Sequence, residues 1–240
     1  LIGKTGGGTV QDAIDGIDGI VGGDASAPNW SLFVGTDAGN GTTTSLRTTA
    51  IGVGALQAIT SGNLNTAFGS LALNSNTSGA VNTAVGADAL GDNTTGEYNN
   101  AFGCKALANN VSGSRNTALG QSALLGSNSA SDNVAIGQDT MIACASGLRN
   151  VAVGNRALTT VINGNDNVAV GSNTLYYSTA SNNCAFGKDA MFTNSTGASN
   201  NAIGYQALYS NTTGNNNAAL GQITLYANTT GTGNTGLGHR

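Results

Sequence analysis

Side chains able to do acid–base or nucleophilic chemistry are few in this chain. Its 240 residues include one histidine, His239, three cysteines and 12 acidic residues. A serine or cysteine nucleophile needs a base within hydrogen-bond reach, and the single histidine lies next to the end of the sequence. The sequence therefore argues against nucleophilic catalysis, and we predict no catalytic residues and no enzyme.

Paired carboxylates are the remaining catalytic possibility, because glycoside hydrolases place two of them around the bond they cleave. Asp88, Asp139 and Asp189 occupy equivalent positions of a short repeat, but in copies that are not adjacent. Asp88, Asp92 and Glu97 are close in sequence, and we interpret them as solvated turn residues. Polysaccharide hydrolysis stays open as the enzymatic alternative.

The three cysteines do not suggest a metal site. Cys104, Cys144 and Cys184 fall at three different positions of the repeat, which is not the pattern of a zinc site or a disulfide framework. Calcium-binding solenoids repeat an aspartate in every unit, and this sequence has no such column of aspartates. We predict free structural cysteines, no metal and no cofactor.

These residues are set in a short repeat that ends each time in an apolar residue followed by glycine. The glycines are 17 residues apart, with one step of 16 between Gly171 and Gly187. A short fixed period means that each unit packs mainly on copies of itself. The repeat glycines are Gly35, Gly52, Gly69, Gly86, Gly103, Gly120, Gly137, Gly154, Gly171, Gly187, Gly204, Gly221 and Gly238.

Positions within a repeat are numbered from its glycine, position 0. Position −4 is Asn in eleven of thirteen copies, −2 is mostly Ala, −1 is always apolar, and +4 is mostly Leu or Met. Seventeen residues are too few for a pair of helices, and the composition favours strands and turns. We predict an all-β fold for residues 31–240, a parallel β-solenoid of about 13 coils, with strands at −4 to +1 and at +3 to +7.

The alternation of side chains along a strand then predicts what faces the interior. We expect the apolar residues at −1 and +4 to form buried columns and the Asn column at −4 to bond to itself at a turn. The Ala at −2 and the glycine would then point outward. Such a stripe of small residues lets another backbone approach closely, so we predict a homotrimer that packs along it. A monomeric solenoid is the alternative.

Residues 1–30 form a separate segment. Thr9 begins a predicted helix, and Val10, Ile14, Ile17 and Val21 follow at coiled-coil spacing. We predict that this segment is a short helical neck or connector. Trp30, Leu32 and Phe33 are expected to seal the first coil, and the chain, which begins with Leu1, reads as a piece of a longer protein.

Composition excludes two classes of partner. The formal net charge is −4 and only 8% of residues are charged, so no basic patch could neutralise phosphates. No apolar run reaches the length of about 18 residues that a membrane span needs. We therefore expect no binding to nucleic acid and no membrane insertion.

The repeats of residues 31–240 carry a resemblance to a known family, and one of them serves as an example. Residues 200–214, which read NNAIGYQALYSNTTG, resemble the Asn-rich repeats of bacteriophage tail-fibre and tailspike proteins. They are similar, more distantly, to the head repeats of trimeric autotransporter adhesins. The resemblance implies a trimeric fibre segment of a virion that supports host attachment and contacts neighbouring fibre or virion proteins.

Two other functions stay open beside the fibre. One is the head of a trimeric adhesin on a bacterial surface, which binds host matrix or glycans; the other is a tailspike that depolymerises polysaccharide. Tyr205, Tyr209 and Tyr226 cluster towards the C-terminus, and exposed tyrosines stack on sugars. These three residues are candidate contacts for a glycan or protein of the host surface, although packing at a contact between protomers is the more ordinary role.

Overall fold

The structure, a computed structural model, describes residues 20–22, 31–40 and 47–239. These residues form fourteen short strands and no helix. The strands are β1 (Ile20–Gly22), β2 (Leu32–Val34), β3 (Thr49–Ile51), β4 (Thr66–Phe68), β5 (Thr83–Val85), β6 (Asn100–Phe102), β7 (Thr117–Leu119), β8 (Val134–Ile136), β9 (Val151–Val153), β10 (Val168–Val170), β11 (Cys184–Phe186), β12 (Asn201–Ile203), β13 (Ala218–Leu220) and β14 (Thr235–Leu237).

Strands β2 to β14 form one parallel sheet in which each strand pairs with the next along the chain. The register aligns equivalent positions, so that Ala84 of β5 lies beside Ala101 of β6. Each strand covers positions −3 to −1 of its repeat, which makes every repeat one coil of a β-solenoid. The predicted fold class is confirmed. At the usual strand spacing, twelve steps give a rod about 58 Å long.

The repeat glycine is required for two reasons. Its φ is positive in every coil, for example +136° at Gly103, a conformation that side chains rarely adopt. A Cβ at Gly103 would also lie 2.6 Å from the carbonyl oxygen of Gly120 in the next coil. Glycine at this position therefore sets both the turn after the strand and the close spacing of the coils.

The segment after the glycine is a run of turns, so the predicted second strand at +3 to +7 is wrong. Positions +2 and +4 have left-handed φ angles, as at Asp88 (59°) and Leu90 (52°), which break up an extended strand. Successive coils still bond to each other along this segment, because the amide of Leu90 donates to the Ala106 carbonyl at 3.0 Å. Stacking of coils replaces a second sheet.

The predicted direction of side chains in the strand is also wrong. Alanine at −2 is fully buried in most coils, whereas the larger residue at −1 points outward, with Phe68 55% exposed and Leu119 47% exposed. The coil is narrow, and a methyl group at −2 fills the space opposite the Leu or Met at +4, which is buried as predicted. The outward Ala and Gly stripe that motivated the trimer therefore does not exist.

Two columns of buried asparagines run through the rod. The first asparagine ladder is the −4 column, predicted from the sequence, with eleven members from Asn65 to Asn234. The second asparagine ladder is the +7 column, which holds Asn76, Asn93 and Asn110 in one run and Asn194, Asn211 and Asn228 in another. In the coil of Gly69, Asn65 and Asn76 both donate to the Gly79 carbonyl, at 2.8 and 2.9 Å. In the coils that have asparagine at both positions, the two ladders therefore bond to the same turn carbonyl from inside the coil.

The N-terminal end of the sheet is covered by β1, which pairs antiparallel with β2. Val21, the last apolar residue of the predicted coiled-coil spacing, lies in this strand and not in a helix. The other residues of the predicted neck, 1–19 and 23–30 with Trp30, lie outside the described residues. Phe33 takes the buried −2 position where other coils have alanine, as expected for a residue that seals the first coil, while Leu32 is exposed.

The single 16-residue step shortens a turn and leaves the buried columns in place. In the coil of Gly171, Asn167 donates to the carbonyl of Ala180, thirteen residues later, where the equivalent bond spans fourteen residues elsewhere. Ala180 therefore takes position +10, which is glycine in most coils, and the residue at +9 is the one lost. Leu175 remains buried.

Candidate interaction surfaces

Four charged side chains form two ion pairs along the rod. Arg115 donates to Asp132 through Nε and Nη2, the latter at 2.9 Å, and Arg149 donates to Asp166 at 2.7 and 2.9 Å. These four residues occupy position −5 of consecutive coils, so opposite charges alternate down one exposed column. Hydrogen bonds from the arginines lower the pKa of Asp132 and Asp166. The pattern avoids the repulsion that a column of like charges would cause.

The structure does not bring the candidate acids together. Asp88, Asp139 and Asp189 lie in one column but three coils apart, about 14 Å at the usual strand spacing, which exceeds the separation used for glycoside hydrolysis. Asp139 instead faces Arg156 at 3.9 Å, and Asp189 accepts a hydrogen bond from Asn173 at 3.1 Å. Among the described residues, no group of three or more His, Cys, Asp or Glu side chains could hold a metal ion.

The three thiols have different surroundings. Cys104 is exposed, Cys184 is partly buried, and Cys144 is fully buried in the column of the second asparagine ladder. Burial raises the pKa of the Cys144 thiol to about 11 and raises the pKa of Cys184. Cys144 is therefore an unreactive core residue in the folded chain.

Two of the three candidate tyrosines belong to a column of aromatic rings. Tyr176, Phe192, Tyr209 and Tyr226 occupy position +5 of the last four full coils, and their ring centroids are 5.1 to 5.4 Å apart. We call these four residues the aromatic stack. The rings of Tyr209 and Tyr226 are nearly parallel, at 6°. Partial burial raises the pKa of Tyr209.

Stacking changes what these rings can offer a ligand. The faces of Phe192 and Tyr209 cover each other, at 7°, so a sugar ring cannot stack on them. Tyr226, the last ring of the stack in this sequence, is 37% exposed. Tyr205, the third candidate, is exposed at position +1, outside the stack.

The largest uniform surface is the outside of the parallel sheet. We call it the outer strip: the side chains at −3 and −1 of every strand from β2 to β14. It contains a continuous row of Val, Ile, Leu and Phe at −1, and no residue of either column carries a charge. A strip about 58 Å long and three residues wide covers on the order of 600 Å². The apolar row at −1 makes up about half of it, because position −3 is most often Thr or Asn.

Three features were not predicted from the sequence, although each leaves a pattern in it: the buried position −2, the second asparagine ladder and the aromatic stack. The residue at −2 is Ala in eleven of thirteen coils, whereas −1 varies from Val to Phe. A tightly packed interior tolerates little change in volume, so the constant position was the buried one. The second asparagine ladder is visible as Asn at +7, and the aromatic stack as four aromatic residues at +5 of consecutive repeats.

Comparison with protein-family models, with curated proteins and with solved structures finds no match to this chain. No described residue belongs to a helix long and apolar enough to cross a membrane. The chain's own surfaces are therefore the guide to its function.

Proposed function

We propose that this chain is a structural rod, a segment of a phage tail fibre or similar virion appendage that supports host attachment. The observation that carries the proposal is the unbroken stacking of thirteen parallel strands in one register. A solenoid of this kind spans distance with a fixed shape, because every coil bonds to the next along the whole rod. Internal amide ladders stabilise that spacing without charged groups.

We further propose that the rod assembles as a homotrimer through the outer strip, not through the alanine column. A partner that covers this strip must present apolar groups repeating at the rise of one coil along its length. A second copy of this chain has that period, and its own outer strip holds no charged residue that would oppose the contact. The area of the strip approaches the roughly 800 Å² per partner of a standard interface. The resemblance to trimeric fibres makes three the number of copies.

The oligomeric state tests this assembly. Sedimentation or light scattering of the fragment should give three times the chain mass of 23.6 kDa. Leu119→Asp places a charge in the outer strip and should yield monomers with an unchanged far-ultraviolet spectrum. The matched control is Val111→Asp, an apolar residue 38% exposed on another column, which should stay trimeric. A monomeric wild-type chain would reject the trimer, and dissociation by both variants would reject the outer strip as its interface.

Rod shape and biological setting need their own measurement. Electron microscopy of the fragment should show rods about 58 Å long. Recovering the complete open reading frame and its neighbouring genes should reveal virion genes beside it. A downstream membrane-anchor barrel would instead favour the head of a bacterial surface adhesin.

The exposed tyrosines of the C-terminal coils are the observation that favours the adhesin-like candidate, binding of a host glycan. Tyr205 and Tyr226 are 41% and 37% exposed, and an exposed tyrosine ring can stack on a pyranose ring. Tyr226→Ala and Tyr205→Ala should abolish binding on a glycan array if this site operates. Tyr98→Ala, an exposed tyrosine far from the stack, is the control. Equal binding by all variants would reject this site while leaving the rod unaffected.

A further inference from the structure

Two buried polar atoms inside the rod have no hydrogen-bond partner, and they belong to neighbouring coils. They are Oδ1 of Asn110 and Oγ of Ser127. Both residues are fully buried, and both stand in the column of the second asparagine ladder. The ladder changes from Asn to Ser at this step. The two atoms therefore mark one place in the core.

Intact parts of the ladder show what an amide at this step would do. Nδ2 of Asn93 donates to Oδ1 of Asn76 at 2.7 Å and to the carbonyl of Gly96 at 3.1 Å. Nδ2 of Asn110 makes the equivalent bonds to Asn93 at 2.7 Å and to Gly113 at 3.0 Å. Each amide nitrogen thus bridges two acceptors: the preceding amide oxygen and the carbonyl at +10.

In the coil of Ser127 the side chain has no amide nitrogen, so the two equivalent acceptors lose this donor. They are Oδ1 of Asn110 and the carbonyl of Ala130, which accepts one bond from Asn116 at 2.8 Å. The serine side chain is shorter than that of asparagine and does not bond to Asn110. Rotating the Asn110 amide would move its Oδ1 away from this place, but Nδ2 would then lose its bonds to Asn93 and to the Gly113 carbonyl.

We propose that one ordered water molecule occupies the position that an amide nitrogen takes elsewhere in the ladder. It donates to Oδ1 of Asn110 and to the Ala130 carbonyl, and it accepts a hydrogen bond from the Ser127 hydroxyl. Three bonds are typical of buried waters, and all three partner groups belong to fully buried residues. Asn110 is the only second-ladder asparagine followed, among the described coils, by a coil with another residue at +7.

The site is closed along the axis by the coils on either side, and both residues are fully buried. Exchange of this water with solvent requires two coils to separate. Its residence time should therefore be long and should report how often the rod opens at this step.

A crystal structure of the full chain at high resolution tests the proposal. We expect one water within hydrogen-bond distance of all three groups in the wild type. In Ser127→Asn the new Nδ2 should replace it at the same position. The control Ser178→Asn should keep the water, because Ser178 stands elsewhere in the column and already accepts from Asn194 at 3.4 Å.

Water relaxation measurements in solution give a second readout that does not depend on crystals. The wild type and Ser178→Asn should show one more long-lived water per chain than Ser127→Asn. An empty site in clear density, an Asn110 amide turned to another partner, or an equal count of long-lived waters in all three proteins would overturn the proposal.

Discussion

The two asparagine ladders lie in the same coils, yet one is unbroken and the other is interrupted. In the first ladder, Oδ1 of each Asn accepts the backbone amide of the next one, as from Asn82 to Asn65 at 3.0 Å. In the second, Oδ1 accepts only the next side chain, as from Asn110 to Asn93 at 2.7 Å. A backbone donor is present whatever residue follows, whereas a side-chain donor can be lost together with its acceptor.

This difference explains where asparagine is replaceable. From Ser127 to Ser178 the second column reads Ser, Cys, Val, Ser, and the bonds between these neighbours are lost together. In the first column, the first coil has Ser31, whose hydroxyl still accepts the backbone amide of Thr48 at 3.1 Å. A buried backbone amide must be paired, so the first ladder keeps an acceptor at each step.

The largest effect should come from breaking the first ladder. Asn133→Ala removes the donor to the Gly147 carbonyl and the acceptor of the Asn150 amide, bonds of 2.8 and 2.9 Å in the core. Each buried group left unpaired costs about 1–3 kcal/mol, so we expect a loss of about 3 kcal/mol or more in the free energy of unfolding. Chemical denaturation measures it.

Asn128→Ala is the control for this variant, because Asn128 is an exposed asparagine in a nearby turn. It should change stability by less than about 0.5 kcal/mol. A loss of similar size in both variants would mean that the buried amide is not what stabilises the coil.

The next effect concerns the interruption of the second ladder. Val161→Asn alone puts an amide oxygen between coils that cannot pair it, which we expect to cost about 1–3 kcal/mol. Replacing Ser127, Cys144, Val161 and Ser178 together by Asn rebuilds a run from Asn76 to Asn228, in which each new amide bridges as its neighbours do. The quadruple variant should be at least as stable as the wild type.

Thermal or chemical unfolding of the single and quadruple variants gives the coupling between these sites. Contacting residues in one hydrogen-bond network are expected to be strongly non-additive. If the four single costs simply add, the second ladder acts as separate residues, and the contrast between the two ladders disappears.

A smaller loss of stability should follow from interrupting the second ladder within the run from Asn76 to Asn110. Asn93→Ser leaves Oδ1 of Asn76 unpaired, but the Gly96 carbonyl keeps its bond from Asn82 at 2.8 Å. We expect a loss of about 1 kcal/mol, less than for Asn133→Ala, because no backbone amide is orphaned. Denaturation of both variants under one condition compares them. An equal or larger loss for Asn93→Ser would contradict the importance assigned to the backbone amide.

The period of the sequence predicts the solenoid, its register and the buried position of Leu or Met at +4, since these depend on repetition alone. It does not by itself reveal which face of each strand is inside. Size suggested that Phe102 would be buried and Ala101 exposed, and the reverse is true. The width of the coil decides this, and that width follows from left-handed turns at positions such as Leu107, which no propensity for leucine predicts.

The candidate site shows the same limit. The sequence places Tyr209 and Tyr226 at equivalent positions of adjacent repeats, so their proximity could have been predicted. Their orientation could not, because stacking of rings along the rod depends on how the turn at +5 projects them. Tyr205 differs from both because it stands at +1.

The smallest effect concerns the exposed column of alternating charges, where pairing contributes little to stability because water and salt screen it. The pKa values of Asp132 and Asp166 are lowered in the folded chain, first by hydrogen bonds from Arg115 and Arg149. Their contribution is therefore present above the unfolded pKa of about 3.9 and is lost as the pH falls through the lower folded value.

The variant Arg149→Gln tests the contribution of the exposed charges to stability without changing the buried ladders. The pKa of Asp166 should rise towards its ordinary value, while that of Asp132, held mainly by Arg115, should change little. Carboxyl chemical shifts followed by NMR during an acid titration measure both, and Arg156→Gln, which faces Asp139, is the control. Because the amide ladders are neutral and buried, unfolding at neutral pH should be nearly unchanged in Arg149→Gln; a large loss there would mean that the exposed charges, not the internal amides, hold successive coils together.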